Sequence, residues 1–282
     1  MKKYYHGILF QEKSKDVYPI PYSPVQFKDG EYKIFLVYGC NKIEATSPDL
    51  KTWKYTPLSF APYGTVLEIE NKYYAAYCVN SFDHCNYAFS IADDKKTFKE
   101  VFFKPEHHGL DISFFYDKGI FRCYARMKIT PCIRTIGYME SKDFVNWTLM
   151  KEILVPDLED GGNVFYSMSV INTDKGYFGF LNTFLPDPDF TSGNTETMDV
   201  QLVWSADGIT NWKRLNDRKP IIERESYTKN IHACASVIGD EVFIATISTG
   251  MFHNFFAVDR ESKFYFTELY RIPLAELYKY LL

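Results

Sequence analysis

The residue with the clearest chemical signal is Asp111, a carboxylate set among apolar neighbours. The stretch Leu110–Phe114 has the composition of a strand start, with Ile112 and Phe114 following the aspartate. A carboxylate buried there without a partner would be costly, so the pattern predicts a cationic partner or a ligand. Arg126 and Arg134 are the candidate partners. A salt bridge within one sheet is the alternative interpretation.

Histidines and cysteines near such runs are the next candidates for chemistry. His108 lies just before Asp111, and His232 opens the run that leads to Cys234. Each histidine could hydrogen-bond a polar ligand or act as a satisfied polar side chain. No two of them have ligand spacing, and the six cysteines form no CxxC pair or zinc-site spacing. We therefore predict buried free thiols, no metal site and no cofactor.

The composition indicates which elements position these residues. Apolar residues make up 46% of the 282-residue chain and aromatics 18%, mostly 22 Tyr and 24 Phe, which favour strands. We expect one compact domain over residues 1–282. A net charge of −4 and the lack of a basic run argue against a nucleic-acid partner. No apolar segment is typical of a signal peptide or a membrane span, which favours a cytoplasmic protein without a membrane partner.

A short motif recurs at intervals of roughly forty to sixty residues, a period typical of propeller blades or solenoid units. It consists of a strand, a serine, an aspartate close behind, and then a bulky aromatic. The copies are Ser47–Trp53, Ser90–Phe98, Ser141–Trp147 and Ser205–Trp212, with a degraded fifth copy near Asp259 to Phe264. We expect the Ser and Asp side chains to hydrogen-bond their own turn, and the aromatic to cover the sheet end.

Alternating strands lie between the copies, each preceded by a turn signal such as Asp117-Lys118-Gly119 or Asp174-Lys175-Gly176. Five such hairpins predict an all-β fold, a five-bladed β-propeller. A two-sheet sandwich is the competing architecture, but it does not explain a motif that recurs once per four strands. Only the C-terminal run Ile272–Leu282 has the pattern of a short helix.

The chain resembles the five-bladed propellers of glycoside hydrolase families 43 and 32 and their uncharacterised relatives. The most specific stretch is Gly109–Asp117, followed by Tyr124-Ala125-Arg126 and Arg134–Trp147. It is similar to the third blade of these proteins, and Asp199–Gly208 is similar to the fourth. The resemblance implies that Asp111 begins an inner strand and faces a central funnel that holds a carbohydrate.

The resemblance also implies a catalytic set: a carboxylate base or nucleophile, an Asp that orients the sugar, and an acid. Only the orienting Asp is matched, by Asp111. Ser23 stands where these families have the first-blade aspartate, and the fourth-blade strand Val164–Ser169 contains no carboxylate. The acid and base are therefore missing or displaced.

Loops that lead into inner strands could supply displaced carboxylates. Glu159 and Asp160 lie in the acidic, glycine-rich segment Asp157–Asn163, and Glu223 precedes the fifth blade in the same way. We take Glu159, Asp160 and Glu223, with Asp111, as the catalytic candidates. A solvated turn is the alternative interpretation of each loop.

The remaining candidates are residues that would contact a sugar. They are Arg126, Arg134, His108, His232, Tyr63 and Tyr166, with the tyrosines suited to stacking on sugar faces. Three functions stay open. The first is hydrolysis of a small glycan or oligosaccharide, the second is carbohydrate binding by a catalytically degenerate propeller, and the third is a phosphorolytic or transferring enzyme that uses Arg126, Arg134 and His232.

Overall fold

The prediction of a five-bladed β-propeller is confirmed by a computed structural model of the chain. The structure describes residues 5–12, 19–38, 41–58, 64–81, 84–94, 97–104, 112–128, 133–185, 197–222, 224, 230–249 and 265–282. Strands account for most of them, as the aromatic and β-branched composition requires. The sandwich alternative is excluded, because the sheets follow one another as four-stranded antiparallel blades.

The first three blades each form a separate sheet, and the inner strand comes first in the chain. Blade 1 contains β2 (Pro19–Pro21), β3 (Gln26–Lys28), β4 (Glu31–Tyr38), β5 (Asn41–Ser47) and β6 (Lys54–Leu58). Blade 2 contains β7 (Gly64–Ile69), β8 (Lys72–Ser81), β9 (His84–Ala92) and β10 (Lys99–Lys104). Blade 3 contains β11 (Ile112–Asp117), β12 (Ile120–Lys128), β13 (Arg134–Ser141) and β14 (Lys151–Leu154).

The last two blades share one sheet, and the N-terminal strand completes the ring. Blade 4 contains β15 (Val164–Thr173), β16 (Gly176–Leu185), β17 (Thr197–Ser205) and β18 (Lys213–Arg214). Blade 5 contains β19 (Asn230–Ile238), β20 (Glu241–Thr249), β21 (Tyr265–Pro273) and, as its outer strand, β1 (Tyr5–Glu12). A parallel pair, Met198 with Asn230, joins the two blades. The strand β1 was not predicted from the sequence, because its partner β21 lies at the other end of the chain.

The recurring motif forms the turn between the third and fourth strands of blades 1, 3 and 4, as predicted. In blade 3 the hydroxyl of Ser141 donates to Asp143 at 3.0 Å, and the Asp143 carboxylate accepts the backbone N–H groups of Val145 and Asn146 at 2.9 and 2.7 Å. Asp49 and Asp207 accept the equivalent N–H groups in the other two blades. The three aspartates are therefore turn-capping residues.

The second copy differs from the prediction. Ser90 lies inside β9 and shares a hydrogen bond with the Tyr77 hydroxyl at 3.0 Å. Asp94, not Asp93, accepts the N–H of Thr97 at 2.6 Å, while Asp93 is exposed and 3.5 Å from Lys72. The capping aspartate of blade 2 lies four residues after the motif serine, two more than in the other copies, so the assignment of the cap to Asp93 was wrong. The fifth copy lies outside the described residues.

Aromatic side chains fill the spaces between blades. Phe144, in the blade 3 turn, is fully buried, and its ring lies 5.4 Å from that of Phe89 in blade 2. Trp147 lies 4.6 Å from the same Phe89 ring and donates its indole N–H to the Phe144 carbonyl at 3.0 Å. The motif aromatic in blade 3 thus packs between sheets, which fixes each blade against its neighbour.

The predicted C-terminal helix is present as α1 (Leu274–Tyr278), followed by a 3-10 turn at Lys279–Leu281. Leu277 is fully buried against the cluster between blades 4 and 5. In the part of the chain that the structure describes, no helix has the length and apolar character needed to cross a membrane.

Candidate functional site

The five inner strands run in the same direction around a central channel. We call the end at which β2, β7, β11, β15 and β19 begin the start mouth, and the end at which the inner strands finish the end mouth. Ile112, the residue that follows Asp111 in the sequence, begins β11 at the start mouth. Asp111 itself lies outside the described residues.

Polar side chains tie the inner strands together at the start mouth. The hydroxyl of Thr65 lies 2.8 Å from the carbonyl oxygens of both Tyr22 and Ile112, which links blades 1, 2 and 3. The thiol of Cys234 donates to the carbonyl of Pro21 at 3.2 Å, which links blade 5 to blade 1. These bonds hold the residue that follows Asp111 in a rigid frame.

A second set of ties joins blades 4 and 5. The amide of Asn182 donates to the Ser167 hydroxyl at 2.6 Å and accepts the N–H of Ala233 at 2.9 Å. Ser169 accepts the N–H of Ala235 at 2.9 Å. Ser169, in the strand where the resemblance implies the acid, therefore links blades 4 and 5 directly, while Ser167 binds Asn182 within blade 4.

Ser23 has the same structural role in blade 1. Its side chain is fully buried in the bend between β2 and β3, and its hydroxyl accepts the N–H of Val66 at 2.8 Å. Within the described inner strands, carboxylates occur only at Glu68 and Asp117, both at the end mouth. The described part of the start mouth thus lacks an inner-strand carboxylate, in agreement with the sequence analysis.

Three of the predicted substrate-binding residues come together between blades 3 and 4. Arg126 is 4% exposed, and its guanidinium carbon lies 4.2 Å from the centre of the Tyr166 ring. The guanidinium of Arg134 lies 5.8 Å from the same ring and 4.7 Å from that of Phe184. Because Tyr166 lies near the start of β15, this group of four residues, the arginine–aromatic cluster, lies at the start mouth.

The predicted loop carboxylates have different surroundings. Asp160 is buried, lies 2.8 Å from Arg214 and 3.3 Å from Arg218, and caps a 3-10 turn by accepting the N–H of Asp157 at 2.9 Å. Glu159 is 78% exposed and 3.0 Å from Arg218. These contacts give Asp160 a structural role and leave Glu159 open to solvent. The catalytic role of each remains a prediction.

The other predicted site residues are Tyr63, His108 and Glu223, which lie with Asp111 outside the described residues. His232 lies in β19 opposite Ile247, but only its backbone position is described. The structure therefore places the backbone of His232 at the start mouth. Its side-chain role stays a prediction.

Three charged residues near the start mouth were not among the predicted site residues. Asp199 pairs with Arg224 at 2.6 Å, next to the link between blades 4 and 5. Lys42 is fully buried near the start of β5 and donates to the carbonyl of Gly64, the first residue of β7. Burial lowers the pKa of Lys42 to about 7. A single lysine in an alternating strand gives no sequence signal for such burial.

Gly64 is required at that position. Its φ of +145° is rare for other residues, and a Cβ there would collide with the backbone of Ala76 and Tyr77. Among the residues that the structure describes, no group of three His, Cys, Asp or Glu side chains is placed to hold a metal ion.

Comparisons with known proteins agree on the fold. No protein-family model and no curated protein matches the sequence. A solved GH43_1 enzyme from Xanthomonas citri, complexed with xylose, is 8% identical, with a TM-score of 0.61 over 96% of this chain and 91% of that one. An α-L-arabinofuranosidase from Podospora anserina, in complex with cellotriose, is 12% identical, with a TM-score of 0.60 over 95% and 96%.

A third similar structure is a β-1,2-mannobiose phosphorylase from Listeria innocua in complex with β-1,2-mannobiose. It is 14% identical, with a TM-score of 0.62 over 96% of this chain and 95% of that one. At such identities the similarity establishes the architecture and not the reaction. The chain has a five-bladed β-propeller fold similar to that of these three structures.

Proposed function

We propose that this chain acts on a small glycan at the start mouth, as a glycoside hydrolase. The arginine–aromatic cluster carries the proposal, because it places two guanidinium groups and the partly exposed ring of Tyr166 beside the start of an inner strand. Sugar rings stack on aromatic faces, and their hydroxyls accept hydrogen bonds from charged donors. The whole-chain likeness to structures that contain xylose or cellotriose supports the substrate class.

Cleavage of a glycosidic bond requires an acid for the leaving oxygen and a base or nucleophile for attack at the anomeric carbon. We assign substrate orientation to Asp111. Glu159 and Glu223 are the preferred acid and base, since both lie on segments that lead into inner strands and Glu159 is exposed. Asp160 is the weaker candidate, because two arginines and a backbone N–H already occupy its carboxylate.

A panel of chromogenic furanosides and pyranosides tests the hydrolase assignment. We expect turnover by the wild type and a loss of about 100-fold or more in Asp111→Asn, since positioned carboxylates contribute factors of this size. Asp93→Asn, which changes an exposed carboxylate in blade 2, is the matched control and should retain activity. Unchanged turnover in Asp111→Asn would refute the assignment. Glycan binding without release of reducing sugar would establish a binding protein instead.

Phosphorolysis is the second candidate. Arg126 and Arg134 share one aromatic ring, and paired guanidinium groups suit a phosphate oxyanion. Phosphate would then attack the anomeric carbon in place of water, and the products would be a sugar 1-phosphate and the shortened glycan. A dependence of turnover on inorganic phosphate, with sugar phosphate among the products, would select this reaction. Equal turnover without phosphate would exclude it.

A further inference from the structure

The opposite end of the central channel holds a cavity of about 700 Å³. The last residues of all five inner strands line it, so it opens at the end mouth, away from Asp111. Its volume lies within the range of small-molecule sites, roughly 300–1,000 Å³. The proposed hydrolytic site does not use this cavity.

Two carboxylates in the cavity wall are held by neighbouring side chains. Glu68 accepts hydrogen bonds from both Lys28 and Lys33 of blade 1, and its side chain is 9% exposed. Burial alone would raise the pKa of Glu68, but the two lysines outweigh it and lower the pKa below its usual value. Glu68 therefore stays ionised at neutral pH, as a fixed acceptor of hydrogen bonds.

The second carboxylate belongs to Asp117 of blade 3. It accepts a hydrogen bond from the Asn172 amide at 2.9 Å and one from the Tyr177 hydroxyl at 2.8 Å, both from blade 4. The guanidinium of Arg122 lies 3.7 Å away. Two hydrogen bonds from the neighbouring blade fix the orientation of this carboxylate at the cavity wall.

Two aromatic side chains in the cavity lining are half exposed. Phe27 is 49% exposed and lies against Tyr32, with ring centres 4.8 Å apart. Tyr116 is 39% exposed and lies against Phe121, with ring centres 4.7 Å apart. Each ring is supported on one side by its own blade and has surface available to a ligand.

The charges in the wall select the class of ligand. Because basic side chains already pair with both carboxylates, a free cation gains little there, and the carboxylates repel an anion. A neutral polyol fits, since its hydroxyls donate to fixed carboxylates and its C–H face packs on an aromatic ring. We propose that the end mouth is a second binding site, for a neutral mono- or disaccharide. It goes beyond the proposed function, since it assigns binding to the other end of the channel.

Saturation-transfer NMR with glucose, galactose, mannose, xylose and maltose tests the proposal. We expect binding of at least one sugar by the wild type, and affinity about tenfold weaker in Phe27→Ala and in Tyr116→Ala. Tyr55→Ala, which removes a half-exposed ring from the outer strand of blade 1, is the matched control and should bind normally. Phe27→Ala and Tyr116→Ala should retain the hydrolytic turnover of the wild type, which separates this site from the hydrolytic one.

Two results would overturn the proposal. One is the lack of saturation transfer to every sugar of the panel. The other is binding that Asp111→Asn abolishes while Phe27→Ala and Tyr116→Ala retain it, since that pattern would place the sugar at the start mouth.

Discussion

At the residue scale, the start mouth has neutral serines where the resemblance implies carboxylates, and positively charged arginines close by. Ser23 and Ser169, where the resemblance to glycosidases implies acidic groups, are instead hydrogen-bonded across blades. Arg126 and Arg134 supply the cationic groups nearby. Under the proposed hydrolytic function, the acid and base are Glu159 and Glu223, which do not belong to the inner strands, and Asp111 orients the substrate.

Arg126 gives the first residue-scale prediction. Replacement by Lys keeps the charge but removes the planar group that stacks on Tyr166, so glycan affinity should fall about tenfold. The matched control is Arg271→Lys, which alters a similar contact with Phe243 in blade 5 and should leave glycan affinity unchanged. Calorimetric titration of the three proteins with the same glycan makes the measurement. Equal glycan affinities of the wild type and Arg126→Lys would show that Arg126 does not contact the glycan.

Lys42 gives a prediction about stability. Its pKa is about 7 in the folded protein and near 10.4 in an unfolded chain. Between these values the unfolded chain holds the extra proton, so this group makes the free energy of unfolding rise as pH increases from about 7 to 10. Lys42→Met should raise stability at pH 7 and flatten this rise, as measured by urea unfolding.

The control for Lys42 is Lys219→Met, since that side chain is 73% exposed. In Lys219→Met the free energy of unfolding should depend on pH as it does in the wild type. An unchanged pH dependence in Lys42→Met would mean that the Lys42 amine is charged in the folded protein at neutral pH.

At the scale of elements, the turn between the third and fourth strands is the feature most readable from sequence. Its contacts lie within five residues, so Ser141 and Asp143 are sufficient to predict it. The arginine–aromatic cluster, by contrast, could not be predicted from a short stretch of sequence. Arg126 and Tyr166 meet across two blades, and the sequence suggested both as ligand contacts without indicating that they touch.

Replacement of Asp143 tests whether the capping hydrogen bonds stabilise the turn. Hydrogen bonds from the Asn146 backbone, the Asn146 side chain and the Val145 backbone hold the pKa of Asp143 well below its usual value. Stability from this group is therefore present above about pH 4 and is lost as pH falls through the folded pKa. Asp143→Ala should lower the free energy of unfolding by about 1 kcal/mol at pH 7, measured by urea unfolding. The control is Asp93→Ala, which changes the aspartate that the motif predicted as the cap of blade 2, where Asp94 caps the turn instead. It should leave the free energy of unfolding unchanged. Equal losses would contradict the capping role.

At the scale of the whole molecule, the ring is closed by the pairing of β1 with β21. This closure was not predictable from local pattern, because the two strands are separated by most of the chain. The blade count was predictable, since the motif repeats once per blade. The family resemblance came from four stretches of sequence, Gly109–Asp117, Tyr124–Arg126, Arg134–Trp147 and Asp199–Gly208, while the side-chain ties between inner strands had no local signature.

Removal of residues 1–12 tests the closure. Without β1 the edge of β21 is unpaired, so we expect a clear loss of thermal stability together with self-association. Thermal unfolding and size-exclusion chromatography provide the measurement. Removal of residues 1–4, which leaves β1 in place, is the control. A truncated protein as stable as the control would show that β1 is not needed to close the ring.

We propose that the start mouth binds and cleaves a glycan. A crystal structure of Asp111→Asn with an oligosaccharide that the wild type cleaves tests this proposal. We expect a sugar ring in van der Waals contact with Tyr166, within about 4 Å, and beside the guanidinium of Arg126. An unoccupied start mouth, with the oligosaccharide bound only elsewhere on the propeller, would contradict it.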